Sequence, residues 1–262
     1  METARLILDP PAEGAWNMAV DQALLETANS TGLITLRFYR WSEPTLSLGY
    51  FQRHLDRELH PPSKDCKLVR RRTGGGAILH DHELTYSLCI PSENRWSKKN
   101  SELYRLVHQC IIELLQTCGI KSEIYGDTIG QTNLPAGTVE NDASKPTVDP
   151  HSFMCFDRRA DGDIVIKGRK VVGSAQRRIK KALLQHGSIL LKRSNYAPSL
   201  SGISDLENCD FNADEFSQML SERVFKCLRV QSILGVINHP ENEAAKNAYS
   251  SQFNFKPWNH QR

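Results

Sequence analysis

The stretch "RRRTGGGAILHDHELTYSL", Arg70–Leu88, joins three arginines to three glycines and then alternates apolar and polar residues. The alternation over "ELTYSLCI", 83–90, predicts a half-buried β-strand, and "KLVRRR" predicts another strand before the glycines. Glycine lets the backbone approach a ligand closely, and the N–H groups of such a loop can hold a carbonyl, a carboxylate or a phosphate. A hairpin turn with a basic edge strand fits the same residues. Neither a GK[ST] phosphate-binding loop nor a dinucleotide-binding turn is present.

The composition of the 262-residue chain is that of an ordinary globular protein. It is 39% hydrophobic and 24% charged, with a formal net charge of +3, which excludes the disordered, collagen-like and membrane classes. No apolar run approaches the roughly 20 residues that span a bilayer. The N-terminal residues lack a basic-then-apolar signal pattern, so we expect a cytoplasmic protein.

The seven cysteines are odd in number, and no two of them have C-x-x-C spacing. This argues against a disulfide framework and against a zinc knuckle. Most of them are expected to be small buried hydrophobes. They are Cys66, Cys89, Cys110, Cys118, Cys155, Cys209 and Cys227.

The order of the predicted elements favours an α+β fold in one domain, residues 1–262, because strands come in runs with helices between them. Residues 126–152 contain few large apolar side chains and many turn formers, which predicts a long mobile loop. Three strands are predicted after it, in "DIVI", "KVVGSA" and "ALLQHGSILL". Helices are predicted at 14–30, 101–118, 212–228 and 240–253.

The run "HDHE", His80–Glu83, places two histidines on one face of a predicted strand. No third ligand at a suitable spacing accompanies them. A hydrogen-bonding role is therefore favoured over a metal site.

The run "GRKVVGSAQRR", Gly168–Arg178, carries a lysine into a strand and then a step of small residues, Gly173–Ala175. Small residues leave room for a ligand to lie against the backbone, and Lys170 would face that ligand. A surface lysine followed by a bulge at Gly173 fits the pattern as well.

The run "SFMCFDRRADGD" places Cys155 at the end of the polar loop, close to Arg158 and Arg159. Neighbouring cations lower the pKa of a thiol and favour the nucleophilic thiolate. By position alone, a buried cysteine at the end of a loop is the favoured interpretation.

Several motifs in a fixed order resemble the lipoate–protein ligase A and octanoyltransferase superfamily, over about residues 4–195. Agreement of ordered motifs is more specific than any one of them. The resemblance implies mixed, largely antiparallel sheets flanked by helices, as in biotin and lipoyl protein ligases. The motifs are "WNMAVDQALLE", "LRFYRWSEPTLSLGYFQ", "RRRTGGGAILHDHELTYS", "CFDRRADGDIVIKGRKVVGSAQRR" and "LLQHGSILL".

Within that superfamily the chain looks most like the bacillus-type octanoyltransferases, which act in lipoate biosynthesis. These enzymes take octanoate from acyl carrier protein onto a cysteine and pass it to a lysine of a lipoyl domain or of the glycine-cleavage H protein. The resemblance implies that Cys155 is the nucleophile and that Lys170 stabilises its thiolate and shuttles a proton. It implies no metal, no cofactor, no nucleic acid and no membrane. The implied substrate-binding residues are Arg72, Thr73, Gly74, Gly75, Gly76, Ala77, His80, Gly173, Ser174, Ala175 and His186.

The resemblance further implies that the glycines form the floor of an acyl tunnel and that the arginines face its entrance. Acyl carrier protein is acidic, so basic clusters at Arg70–Arg72, Lys167–Lys170 and Arg177–Lys181 are expected to steer it.

An ATP-dependent lipoate–protein ligase, acting through lipoyl-adenylate with ATP and Mg, is the alternative. The transferase pattern carries an arginine where Gly76 stands, and the triple glycine is closer to the ligases. The chain beyond residue 200 is expected to be too short for the accessory domain of the larger ligases, which favours the transferase. A module that binds an acyl group or its carrier without turnover is a third alternative.

Overall fold

The structure is a computed structural model that describes residues 2–127 and 152–261. Strands and helices follow one another in no regular alternation. The strands are β1 (Thr3–Leu8), β2 (Ile34–Tyr39), β3 (Thr45–Leu48), β4 (Lys67–Arg70), β5 (Ile78–His80), β6 (Glu83–Ile90), β7 (Glu123–Ile124), β8 (Ile164–Ile166), β9 (Arg169–Ile179), β10 (Ala182–Leu190) and β11 (Gln231–Leu234). The helices are α1 (Gly14–Thr31), α2 (Asn100–Thr117), α3 (Ile203–Glu207), α4 (Ala213–Leu228), α5 (His239–Ala248) and α6 (Lys256–Asn259).

The strands of the described ranges form one sheet of eight strands and one of three. The large sheet has the order β11-β1-β2-β6-β10-β9-β8-β7, and the small sheet has the order β4-β3-β5. Pairing is parallel between β1 and its two neighbours and between β3 and β4. It is antiparallel at the other pairs. The expected fold class, α+β with mixed, largely antiparallel sheets, is therefore confirmed.

The four predicted helices are present with small shifts of their ends. Those at 14–30, 101–118 and 212–228 are α1, α2 and α4. The helix expected at 240–253 is α5, which continues into one π-helical turn, Tyr249–Phe253. Strands β1, β7 and β11 and the short helices α3 and α6 were not predicted. Among the described helices, none combines the length and the apolar character that a bilayer span requires.

Strand β6 is buried along its whole length, which corrects the prediction of a half-buried strand. It lies in the middle of the large sheet, between β2 and β10. Leu84, Tyr86 and Leu88 pack on one face with side chains of α2 and α4. Cys89 packs on the other face with α1, and the buried Thr85 lies on that same face. One face of β6 therefore packs into the apolar core, and the other faces a partly polar interior and not solvent.

The loop predicted at 126–152 lies almost entirely outside the described residues. Its first two positions, Gly126 and Asp127, and its last, Ser152, are described. The chain re-enters the described range three residues before Cys155, where a 3-10 turn over Cys155–Asp157 begins.

Candidate active site

A cavity of about 320 Å³ lies between the large sheet, the start of α1 and the glycine loop that joins β4 to β5. Its volume is typical of a site for a small ligand. Eight of the expected site residues line it: Gly74, Gly75, His80, Cys155, Gly173, Ser174, Ala175 and His186. Lining residues that the sequence did not indicate include Met18, Tyr39, Trp41, Arg71, Thr85 and Ser188.

Small side chains on three neighbouring strands create the floor of this cavity. Gly173 of β9 lies opposite Ser188 of β10, and Ser188 lies opposite Thr85 of β6. Opposite residues of an antiparallel pair point to the same face, so these three positions form a row across the sheet. Neighbouring strands are about 4.8 Å apart, so two strand spacings make the row about 10 Å long. A larger side chain in this row would fill the cavity.

The glycine loop fixes the backbone of the cysteine segment. Gly75 has a φ of +93°, which a residue with a side chain rarely adopts. The N–H of Ala77 donates to the carbonyl of Phe153 at 2.9 Å, and the N–H of Cys155 donates to the carbonyl of Ala77 at 2.7 Å. These two bonds attach the Cys155 backbone to the loop. Thr73, Gly76 and Ala77 thus support the cavity from behind and do not line it.

Gly76 has its own packing requirement. A Cβ at this position would collide with the guanidinium of Arg158 and would lie 3.0 Å from the backbone nitrogen of Cys155. The missing side chain therefore makes room for an arginine from the cysteine segment.

The expectation that Arg70 and Arg71 face the entrance is wrong, because both side chains are buried. The Arg70 guanidinium donates to carbonyls of the segment after β3, including Gly49 at 3.1 Å, and of the C-terminal residues, including Asn259 at 3.1 Å. Arg72 is half-buried and does not line the cavity. The arginines therefore act mainly in holding the loop in place.

Arg71 combines burial with a position on the cavity wall. Its guanidinium donates to the carbonyls of Ser47 at 2.9 Å, Gly74 at 2.8 Å and Gly76 at 2.6 Å. Burial lowers the pKa of Arg71 to about 10, and the charge of Cys155 opposes that change.

Cys155, Lys170 and Asp163 form a compact group beside the cavity. The Nζ atom of Lys170 lies 3.6 Å from the Sγ atom of Cys155 and 2.8 Å from an oxygen of Asp163. Strands β8 and β9 form a hairpin that turns at Lys167 and Gly168, and this hairpin brings Lys170 and Asp163 together. The expected approach of Cys155 and Lys170 is therefore present.

Both members of the Lys170–Asp163 ion pair are buried. Burial raises the pKa of Asp163, while the ammonium of Lys170 and the N–H of Ala160 oppose that rise. A buried ammonium without a carboxylate partner would be costly. Asp163 therefore allows a charged Lys170 to remain next to the thiol.

A second polar network holds His186, one of the two histidines that were expected in the site. His186 lies 2.8 Å from the hydroxyl of Thr73 and 3.3 Å from a carboxylate oxygen of Asp21. Asp21 also accepts from Arg37 at 2.9 Å and from Tyr39 at 3.0 Å. His186 thereby connects the glycine loop to α1 and to the large sheet.

His80 is a buried hydrogen-bonding residue, which agrees with the preferred interpretation of the "HDHE" run. Its ring lies 2.6 Å from Glu83 and 2.9 Å from the Ser47 hydroxyl, and it stacks on Trp41 with ring centroids 3.7 Å apart. His82 is exposed and lies 3.5 Å from Asp81. Within residues 2–127 and 152–261, no group of three or more His, Cys, Asp or Glu side chains is arranged to hold a metal ion.

A chain of hydrogen bonds fixes Ser174 from behind the sheet. The Ser174 hydroxyl lies 2.7 Å from Tyr86 and 2.6 Å from Nε2 of His108, whose Nδ1 lies 2.6 Å from the carbonyl of Gly162. Burial lowers the pKa of His108 to about 4, so its ring is neutral at pH 7. In the neutral ring, Nδ1–H donates to Gly162 and Nε2 accepts from Ser174.

His108 is expected to make the fold sensitive to acid. Its pKa falls from 6.5 in the unfolded chain to about 4 in the folded protein. Between these values the unfolded chain binds more protons, so the free energy of unfolding decreases as the pH falls, by roughly 3 kcal/mol in all. Urea unfolding at a series of pH values measures this slope.

The matched variants for that test are His108→Gln and His82→Gln. Replacing His108 should flatten the slope between pH 6.5 and pH 4, whereas replacing the exposed His82 should leave it unchanged. An unaltered slope in His108→Gln would show that His108 is not the group responsible.

The other six cysteines do not share the environment of Cys155. Three are buried, but Cys118 and Cys227 are exposed and Cys209 is half-buried, so the expectation that most cysteines are buried is wrong. Burial raises the pKa of Cys66 to about 11 and also raises that of Cys89, Cys110 and Cys209. These four thiols are therefore protonated near pH 7.

Sequence reasoning missed Asp163, Arg71 and His108. Asp163 had a usable signal, because a hairpin turning at Lys167 and Gly168 places the residue before "IVI" near the lysine on the returning strand. Arg71 had no signal that distinguished it from Arg72. His108 lies on the polar edge of an otherwise apolar helical stripe, which does not indicate its partner on β9.

Comparison with known proteins identifies the family. Residues 13–229 match the family model described as the lipoyl protein ligase A/B catalytic domain. The octanoyltransferase LipM of Halalkalibacterium halodurans is 41% identical over 197 residues, which are 73% of this chain and 67% of that protein. The octanoyltransferase LipM of Anoxybacillus flavithermus is 32% identical over an alignment of 287 positions, which covers 97% of this chain and 99% of that protein.

Solved structures share the fold at low sequence identity. The crystal structure of a lipoate-protein ligase A bound with ATP has a TM-score of 0.73 and 22% identity, and the match covers 99% of both chains. A bipartite lipoate protein ligase from Thermoplasma acidophilum, described with its E2 lipoyl domain, has a TM-score of 0.72 and 20% identity, over 99% of this chain and 96% of that chain. Because the family model covers most of the chain and curated relatives match it from end to end, this protein belongs to the lipoyl protein ligase A/B catalytic domain family.

Proposed function

We propose that this acyltransferase moves an octanoyl group from the thioester of an acyl carrier protein, through a thioester on Cys155, to a lysine of a lipoyl domain or of a glycine-cleavage H protein. Curated relatives that match most of the chain are octanoyltransferases. The observation that carries the mechanism is the 3.6 Å distance between Sγ of Cys155 and Nζ of Lys170 beside a small cavity.

In the first step the Cys155 thiolate attacks the carbonyl carbon of the donor thioester. The new carbon–sulfur bond forms as the bond to the donor sulfur breaks, and the donor leaves as a thiol after taking up a proton. The ammonium of Lys170 stabilises the thiolate before attack and supplies that proton. Asp163, at 2.8 Å, keeps Lys170 charged and in position.

The negative charge that develops on the carbonyl oxygen requires N–H donors. The N–H of Ala77 is already bonded to Phe153, so it is not available for this role. The N–H groups of Gly75 and Gly76 remain the candidate donors on the glycine loop. On β9 the candidate is the one of the Ser174 and Ala175 N–H groups that points away from β10. The buried cation of Arg71 next to the loop adds to the stabilisation of this charge.

In the second step the neutral amine of the acceptor lysine attacks the acyl-cysteine, and the Cys155 thiolate leaves. The amide bond forms as the thioester bond breaks. The proton released by the amine goes to the neutral Lys170, which regains the ammonium that it lost in the first step, while Cys155 leaves as the thiolate. The enzyme therefore returns to its starting protonation state without ATP or a metal.

The octanoyl chain fits the row of small residues on the sheet. Seven carbon–carbon bonds of about 1.5 Å in an extended zigzag span about 9 Å, close to the length of the row from Gly173 to Thr85. His80 and His186 fix the walls around this row through their hydrogen bonds.

The ligase alternative is not favoured. Its relatives in the structural comparison share the fold at about one fifth identity, whereas the curated octanoyltransferases match at 41% and 32% identity. A ligase acting through an adenylate has no need for a thiol paired with an ammonium.

A transfer assay separates the two reactions. Octanoyl-acyl carrier protein and a lipoyl domain are incubated with the protein without ATP, and octanoylation of the domain is measured by mass. Transfer without ATP is the expected result. Modification of the domain only with free lipoate and ATP would contradict the proposal.

Gly75→Val is expected to abolish acylation while the fold is retained. The valine side chain would enter the cavity next to Arg71 and would also resist the positive φ. Gly119→Val is the matched control, because Gly119 also has a positive φ, +77°, but has nothing within 4 Å of an added Cβ and lies outside the cavity. The melting temperature should fall by a similar amount in both variants, and only Gly75→Val should lose activity. Near-normal turnover of Gly75→Val would mean that the glycines form only a turn.

A further inference from the structure

Three large apolar side chains are exposed on the segment that follows β3. Phe51, Leu55 and Leu59, the apolar strip, are 70%, 75% and 70% exposed. They are spaced four residues apart, and the last two lie on a 3-10 helix, His54–Leu59. Exposed large apolar side chains grouped on one short segment are characteristic of a site for a partner.

The apolar strip is attached to the candidate active site. The Phe51 ring lies 3.9 Å from where a Cβ of Gly74 would be, and Gly74 lines the cavity. The Gln52 side chain donates to the carbonyl of Phe153 at 3.1 Å, two residues before Cys155. Buried Arg70 donates to the carbonyl of Gln52 at 2.5 Å. The segment is thus fixed to the glycine loop on one side and to the cysteine segment on the other.

Positive charge surrounds the same opening. Arg177 donates to the carbonyl of Arg72 at 2.7 Å, and its guanidinium carbon lies 6.0 Å from the centre of the Tyr50 ring, which packs edge-on against Phe51. On the other side, the Arg158 guanidinium fills the space above Gly76. All three arginines are half-buried and have part of their surface in solvent.

From this arrangement we infer that the apolar strip, with Arg72, Arg158 and Arg177 beside it, is the docking surface for the acidic domain that delivers the acyl thioester. This inference rests on the proposed function. An acidic domain complements the arginines, and an apolar contact on it would cover the strip. The donor thioester is carried on an arm with a phosphodiester, which arginine binds well. The acceptor lysine carries no phosphate, so the donor fits this surface better.

The test compares two acyl donors on the same protein. Acylation of Cys155 is followed by intact mass with octanoyl-acyl carrier protein and with a small octanoyl thioester of N-acetylcysteamine. The double variant Leu55→Asp/Leu59→Asp should load from the carrier at least tenfold more slowly, because it buries charge and repels an acidic partner. Loading from the small thioester should not change.

Raising the salt concentration should slow loading of the native protein from the carrier but not from the small thioester.

Leu234→Asp is the matched control, since Leu234 is 76% exposed on the edge strand β11, the far edge of the large sheet from β9. It should load normally from both donors. Unchanged loading of the double variant from the carrier would overturn the inference, as would an equal loss with both donors. A normal loading rate with slow transfer to the lipoyl domain would assign the surface to the acceptor instead. If native protein takes no acyl group from either donor, the proposed function itself fails, and the docking inference falls with it.

Discussion

Replacement of Cys155 by alanine is expected to abolish both the acyl adduct and transfer to the acceptor. Without the thiol no covalent intermediate forms, and the other described residues that line the cavity include no second cysteine. Intact mass after incubation with octanoyl-acyl carrier protein measures the adduct, and octanoylation of a lipoyl domain measures transfer. The expected activity is at background in both assays.

The control for this variant is the replacement of each other cysteine. Cys118→Ser and Cys227→Ser should be neutral because both residues are exposed, and Cys66→Ala, Cys89→Ala and Cys110→Ala should lower stability without removing the adduct. Cys209→Ser should also retain activity. Full transfer by Cys155→Ala would remove Cys155 from the reaction and return the ligase mechanism to consideration.

Replacement of Lys170 by alanine should slow acylation by about two to four orders of magnitude, the scale expected for the loss of a proton-transfer group. The thiol would lose the ammonium at 3.6 Å that favours its thiolate. The rate of acylation should then need a higher pH to reach its plateau, because a neighbouring cation stabilises a thiolate and the variant lacks that cation. A structural role alone would lower the rate without moving the pH profile.

Lys170→Ala also leaves the Asp163 carboxylate buried without its partner, which costs stability. The double variant Lys170→Met/Asp163→Asn removes both charges and separates this cost from the chemical effect. It should regain stability but not activity. An acylation rate near that of the native protein in either variant would contradict the proposed role of Lys170.

Much of the fold could be predicted from the sequence because its signals are local. The apolar stripe of α2 and the alternation in β6 follow from helix and strand periodicity. The burial of β6 on both faces could not be predicted, because it depends on helices from distant parts of the chain, α2 and α4 on one face and α1 on the other. Strand β1 pairs in parallel with β2 and β11, and nothing in its six residues indicates either partner.

The sequence predicted the pair of Cys155 and Lys170 but not the residues that support this pair. The motifs around Cys155 and Lys170 indicated that the two would meet, and they lie 3.6 Å apart. The consecutive arginines at 70–72 look equivalent in the sequence, yet Arg70 and Arg71 are buried. Arg70 is buried against the C-terminal segment, where it donates to the carbonyl of Gln261. Asp163 lies beside Lys170 because the β8–β9 hairpin turns at Lys167 and Gly168, and this turn was not predicted.

The most direct test of the central claim is the intact mass of the protein after incubation with octanoyl-acyl carrier protein in the absence of ATP. The proposed mechanism predicts a gain of one octanoyl group, located on Cys155 by peptide mapping, that is lost when a lipoyl domain is added. No adduct on the native protein, or an adduct that persists in Cys155→Ala, would contradict it.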